Sequence, residues 1–495
     1  RVGIANELSA GIYGGNLGAT AGTWAKINNS ARLYHNTVAP AYGAEWDAGQ
    51  IAMVAFDADA GKIWYGVDGV WDESGNPATA ANPSQSSVTG TDFFFATTSG
   101  SGTLTYVANF GQDSSFAGNK SSQGNQDGND IGDFYYTPPS GFLALCTKNL
   151  PDVAVVPSEN FNTVFYSGNG GTQSITGVGF QPDFIWKKAR NEVRNHYITD
   201  AVRGVQKTLS SNTSDAEDSS TSYVTAFGSD GWSMGATSAF NKSSINYAAW
   251  NWKANGSGSN NTDGDVTSVA SANVDAGFSI VTYTGNGNNI DVGHGLSKAP
   301  DIVIVKERNS SGSWYANVKN IPGQSGGTDM VGVLNHHYAF DGMNVGQWYF
   351  GSQAPTSSVF RVQNKDDAGA NGSTYVAYCF HSVDGYSKIG SYKGNGSTNG
   401  TFVYTGFRPA WVMVKRADAI THWQIHDIKR SLYNPSDHGL LANTNDTDAV
   451  TSVYDMDITS NGFKLRATHA GQNANNGKYI YIAFAETPFK YSNAR

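Results

Sequence analysis

The chain has 495 residues, a formal net charge of −9, 58 glycines, 12% aromatic residues and only 15% charged residues. That length exceeds a single hydrophobic core and points to roughly three to five domains. The acidity excludes binding nucleic acid through clustered Lys and Arg, and the aromatic content excludes a disordered chain. Turn formers, hydroxylated residues and aromatics together predict short strands joined by tight turns: an all-β protein of tandem β-sandwich domains with very little helix.

In chain order, a first module spans residues 1–151. Apolar residues alternate through Ile51, Met53 and Ala55, an Asp57-Ala-Asp59 turn follows, and Lys62 to Tyr65 begins a partner strand, the pattern of a hairpin. A further strand is predicted over Thr103–Gln112, and the module closes on Pro138-Pro139-Ser-Gly141-Phe142.

Beyond it, one sentence is written three times. Phe161 to Tyr166 leads to Gly168-Asn169-Gly170, Phe278 to Tyr283 leads to Gly285-Asn286-Gly287, and Ile389 to Tyr392 leads to Gly394-Asn395-Gly396. Each copy continues through a Pro and an apolar strand: Asp183 to Lys187, Ile302 to Lys306 and Trp411 to Lys415. Each closes on a third phrase: Tyr247–Trp250, Tyr375–Tyr378 and Tyr481–Phe484. A repeat near 100 residues is too long for a solenoid unit and right for a small domain. The modules are 157–257, 266–384 and 387–495. Asn255–Asp265 reads as a flexible linker or exposed loop, whereas the last two modules abut. The helix candidates are short, such as Asp200–Lys207 with an Asp cap.

The Asp-x-Asp hairpin, the Asn109-Phe110-Gly111-Gln112 phrase and the Pro-Pro-x-Gly-Phe ending, in that order, resemble the SPRY family, a concanavalin-like β-sandwich. Within that resemblance Arg1–Asn6 looks like an internal strand, which implies that a preceding strand belongs to a longer protein. The three later modules resemble a repeat domain of undescribed function found in phage structural proteins, often marine ones, where it follows a SPRY-like module. The terminal phrase Phe484–Arg495 is close to endings in that group. The resemblance covers nearly the whole chain and implies a tail-fibre or appendage protein of the virion. It supplies no functional residues.

Residue chemistry adds few candidates. Two cysteines, Cys146 and Cys379, fall in different modules and form no disulfide framework. No apolar run reaches the length of a membrane helix, so no membrane insertion is expected. Asp57 and Asp59, and Asp366-Asp367, read as turn residues rather than a hydrolytic pair. His422 and His426 would lie about 13 Å apart on a strand, too far to share a metal. His336, His337 and His381 lack companions. Gly-x-Ser-x-Gly occurs around Ser233, at a turn-to-strand start where the third module places Lys464, and around Ser325, in a Gly-rich turn after Pro322; neither reads as a strand-to-helix turn. The Gly-Asn-Gly turns lack the Lys-Ser/Thr of a phosphate loop. For metal, Asp127, Asp130 and Asp133 cluster oxygen ligands and make calcium the one cofactor to test, with Asp263 and Asp265 a weaker cluster; neither has EF-hand spacing. For ligand stacking, Trp71 and the pair Trp314 and Tyr315 are the candidates for exposed aromatics.

These features imply a non-catalytic virion appendage, extracellular on the tail or particle surface. It would form a homo-oligomer, join other virion proteins, and touch a bacterial surface glycan or outer-membrane protein through exposed loops. The alternatives are an architectural head or collar fibre binding only virion subunits, and a polysaccharide depolymerase. Scarce Glu and the modular repeats weigh against the enzyme.

Overall fold

A computed structural model of the chain describes residues 1–6, 17–90, 93–98, 105–150, 152–319, 330–340, 349–351 and 353–491. It is an all-β protein of antiparallel sheets, with single 3-10 turns such as Asp72–Ser74 and Pro157–Glu159. Among the described residues no helix is long and apolar enough to cross a membrane. The chain divides into two compact units, Arg1–Leu150 and Pro151–Arg495.

The first unit is a sandwich of two sheets. One orders the strands Arg32–His35, Thr23–Ile27, Val2–Ala5 and Phe94–Thr97; the other contains the expected hairpin Ala52–Asp57 with Lys62–Val67. Ile4, Trp24 and Leu33 from the first meet Ile63 and Tyr65 from the second in one core. Val2–Ala5 is internal, paired on both sides. No strand forms over the described part of Thr103–Gln112. The Asn109 side chain instead accepts from the backbone N–H groups of Gly111 and Gln112, at 2.8 and 3.0 Å, and bends the chain into a turn.

In the second unit each repeat builds the same pair of layers. The main sheet of the first repeat orders His196–Asp200, Phe184–Ala189, Asn246–Trp252 and Phe161–Ser167, and the other two repeats contain the same four-strand core with added edge strands. Against one face of each lies a small sheet, closing an own core such as Tyr166, Trp232 and Tyr247 in the first repeat. The Tyr strand explains the repeated turn. Tyr166 stacks on Tyr247, Tyr283 on Tyr375 and Tyr392 on Tyr479, with centroids 5.0, 5.1 and 4.9 Å apart. The turn after each packs against a carbonyl: a Cβ on Gly168, Gly285 or Gly394 would lie 2.2–2.4 Å from the oxygen of Lys242, Ala370 or Ala474. Gly170, Gly287 and Gly396 take positive φ.

The other face of each main sheet is largely covered, with exposure at strand ends such as Phe165. Side chains alternate across a strand, so Trp250 and Trp252 point away from the small sheet, as do Tyr378 and Phe380, and Ile482 and Phe484. All six join one core with Phe184, Trp314, Trp411 and Trp423. The three repeats are wrapped around this common core. Ring N–H groups close the circle: Trp314 donates to Ser210 O at 2.9 Å, Trp423 to Val333 O at 3.1 Å, and His196 Nε2 to Leu441 O at 3.1 Å. The His196 tautomer is fixed, since its Nδ1 accepts from Trp186.

Three further sequence expectations change in this unit. The linker Asn255–Asp265 contains the edge strand Ser259–Asn261, paired with Ser268–Asn273. Asp200–Lys207 is a turn rather than a helix. Asp200 does cap it, accepting from Arg203 N at 2.8 Å, but Gly204 and Gln206 take positive φ and stop any helical continuation. The third closing phrase is Tyr479–Ile482, not Tyr481–Phe484. Met413 pairs with Ile482 as Trp186 pairs with Trp250 and Ile304 with Tyr378. A slip of two residues preserves the face, so the side-chain pattern cannot detect it.

Candidate functional site

The residues picked out from sequence do not come together as a site. Trp314 is fully buried and Tyr315 is 8% exposed. Their strand, Trp314–Val318, is paired on both sides, so Trp314 enters the common core and Tyr315 stacks on Tyr349 in the repeat's own core. This corrects the expectation that the pair is exposed. Trp71, in the other unit, is half-buried beside Asp72, which is buried in an ion pair with Lys26.

The Asp127 carboxylate is consumed by the protein. It accepts from the backbone N–H of Asn129, Ile131 and Ala144 and from Asn149 Nδ2, at 2.7–3.1 Å. Burial opposes its charge, but these bonds hold the carboxyl below its ordinary value. Asp133 is likewise held down by the hydroxyl and backbone of Ser114. Asp130 is exposed, and its backbone N–H donates to Asp127 O. The cluster organises a loop, and no group of three metal-ligating side chains occurs among the described residues.

His426 is fully buried, and burial lowers its pKa to about 3. His422 instead contacts Asn443 at 3.0 Å. Ser233 lies on the strand Gly231–Met234 with its hydroxyl 2.9 Å from that of Ser174. The motif around Ser325 lies outside the described residues. The cavity at the centre of the common core, about 30 Å³ and lined by Trp252, Trp314 and Trp411 among others, has room for a water-sized molecule but not for a sugar.

One surface does stand out, and the three repeats act as its internal control. The small sheet of the third repeat orders Phe402–Tyr404, Gly462–Leu465 and Met456–Thr459. Val403 and Phe463 point inward, so Phe402, Tyr404, Lys464 and Asp457 share the outer face. Phe402 is 45% and Tyr404 56% exposed. The tip of the Phe402 ring lies over Gly462, where a side chain would crowd it, and the Tyr404 ring lies beside Gly406. At the equivalent place the first repeat has Ser174 bonded to Ser233, and the second has Asp291 paired with Arg361 at 2.8 Å. Only the third repeat substitutes aromatic rings at this position. Sequence reading missed the pair because the Phe-Val-Tyr alternation fits a strand with either face buried; the signal was Lys464 aligned with Ser233, which marks the outward positions.

Residues 156–488 match a family model described as a domain of unknown function, DUF7483. The chain belongs to the DUF7483 family. The match spans all three repeats, so the DUF7483 region is the whole ring and not one repeat within it. No curated protein matches the chain.

Proposed function

We propose that the chain is a non-catalytic appendage protein of a phage virion that adheres to a bacterial surface glycan through the outer face of the third repeat. The observation that carries the reading is the pair Phe402 and Tyr404, solvent-exposed on a three-stranded sheet whose other side is packed core. Aromatic faces stack on the apolar faces of pyranose rings. Rings held by strands lose little conformational freedom on binding, which favours affinity. One such contact is weak, and a homo-oligomeric appendage carrying several copies would multiply it by avidity. The virion assignment rests on the order of a SPRY-like module before the repeats and on the terminal phrase. The protein would act outside the cell on the particle surface.

The test is binding of the purified chain to intact candidate host cells, with sugar release followed in the same tube. Saturable binding without released sugar is the expected result; sugar release would replace the adhesin with a depolymerase. A second reading, an architectural virion protein, is favoured by a different surface: Leu432 and Tyr433 are 58% and 80% exposed, an apolar turn suited to burial against another subunit. Absence of any cell binding would favour that reading.

A further inference from the structure

Lys464 lies directly across from Phe402 on one side and from Asp457 on the other. The Asp457 carboxylate is already engaged by Arg466 Nε. Among the described residues no carboxylate pairs with Lys464. The equivalent groups of the other repeats are satisfied within the protein: Arg361 is held by both oxygens of Asp291, at 2.8 and 3.1 Å, and Ser233 by Ser174 at 2.9 Å. The third repeat thus replaces a self-satisfied pair with an aromatic ring beside an ammonium group. An ammonium that spans one strand spacing of about 4.8 Å reaches the edge of anything stacked on Phe402.

Resting on the glycan reading above, we infer that the ligand of this face is an acidic polysaccharide, with one pyranose stacked on Phe402 and Tyr404 and its carboxylate on Lys464 Nζ. Charge complementarity commits the face to this occupant. The rings are neighboured by polar side chains, Lys464, Asp457 and Thr459 across the sheet and Arg466 beyond them. The net charge of −9 repels polyanions at long range, so the attraction must be local, and Lys464 supplies it because Arg466 is already paired with Asp457.

The test measures binding of the full chain to immobilised polygalacturonate, alginate and hyaluronan, each beside its carboxyl-reduced, neutral form. The wild-type chain is expected to bind at least one acidic form about 10-fold or more tighter than its reduced form, the scale of one charge-assisted hydrogen bond. K464Q should erase that preference while keeping the melting temperature, and the F402A/Y404A variant should lose binding to both forms. Equal binding of acidic and reduced forms overturns the acidic ligand and leaves the glycan reading intact. Binding to none of the six overturns the inference, and the cell-binding assay then decides the glycan reading separately.

Discussion

Tyr378 donates its hydroxyl to Asp200 Oδ2 at 2.7 Å, across the seam between the second and first repeats. The next seam repeats the arrangement: Trp250 of the first repeat donates to Asp427 Oδ2 of the third at 3.1 Å. Each aspartate also holds a buried arginine three residues on, Arg203 or Arg430, which reaches a second acid, Glu217 or Asp448. That acid in turn pairs with an arginine of the neighbouring repeat, Arg308 or Arg190. At the third seam the equivalent positions are Val318 and Ile482, both in the common core. Removing one member leaves buried charge without its partner. Tyr378→Phe should cost about 1–3 kcal/mol and Arg203→Met about 3–5 kcal/mol, read from denaturant midpoints. A Tyr378→Phe variant as stable as wild type would remove this network from the account.

Because the repeats share a core, they should unfold together. Calorimetry of the chain should show the 151–495 unit melting in one transition. Trp314→Ala, a change in the second repeat, should lower that whole transition by about 3–5 kcal/mol. Separate melting of one repeat would contradict the common core.

Two pH windows follow from buried bases. Burial lowers His426 to about 3, with Arg430 adding to the effect against Asp427 and Gln472. Unfolding raises it to the ordinary value near 6.5. Between those values the unfolded chain binds the extra proton, so stability is fully present above about 6.5 and falls as pH drops toward 3. Burial also lowers Lys188 and Lys306 to about 8 and Lys415 to about 7. Their contribution therefore rises as pH increases from about 7 toward 10.5. His426→Gln should flatten the acidic limb, and Lys415→Met the alkaline one, in melting temperatures taken across pH.

The Asp127 loop makes a prediction about metal. With four donors already on its carboxylate, a chelator should leave the melting temperature unchanged, while Asp127→Ala should lower the stability of the first unit by about 1–3 kcal/mol. Stabilisation by added calcium would instead restore a metal role for the loop.

Much of the fold was legible because alternation and turn chemistry are local. The hairpin at Asp57, the strands through Phe184, Ile302 and Trp411, and the Gly-Asn-Gly turns all follow from neighbouring residues. The common core was not legible. A strand such as Asn246–Trp252 is buried on both faces, and its sequence says that Trp250 and Trp252 are covered without saying by what. The same ambiguity hid the site: Trp314 looks like a loop-edge aromatic, and Phe402 like a core one, until the sheets decide which face meets water.

The most direct test of the account is binding to a glycan array by three forms of the chain: wild type, F402A/Y404A, and a control altered at the equivalent first-repeat positions, Ser174→Ala with Thr176→Ala. Wild type and the control are expected to bind the same glycans, and F402A/Y404A to bind none while melting at the same temperature. Undiminished binding by F402A/Y404A would contradict it.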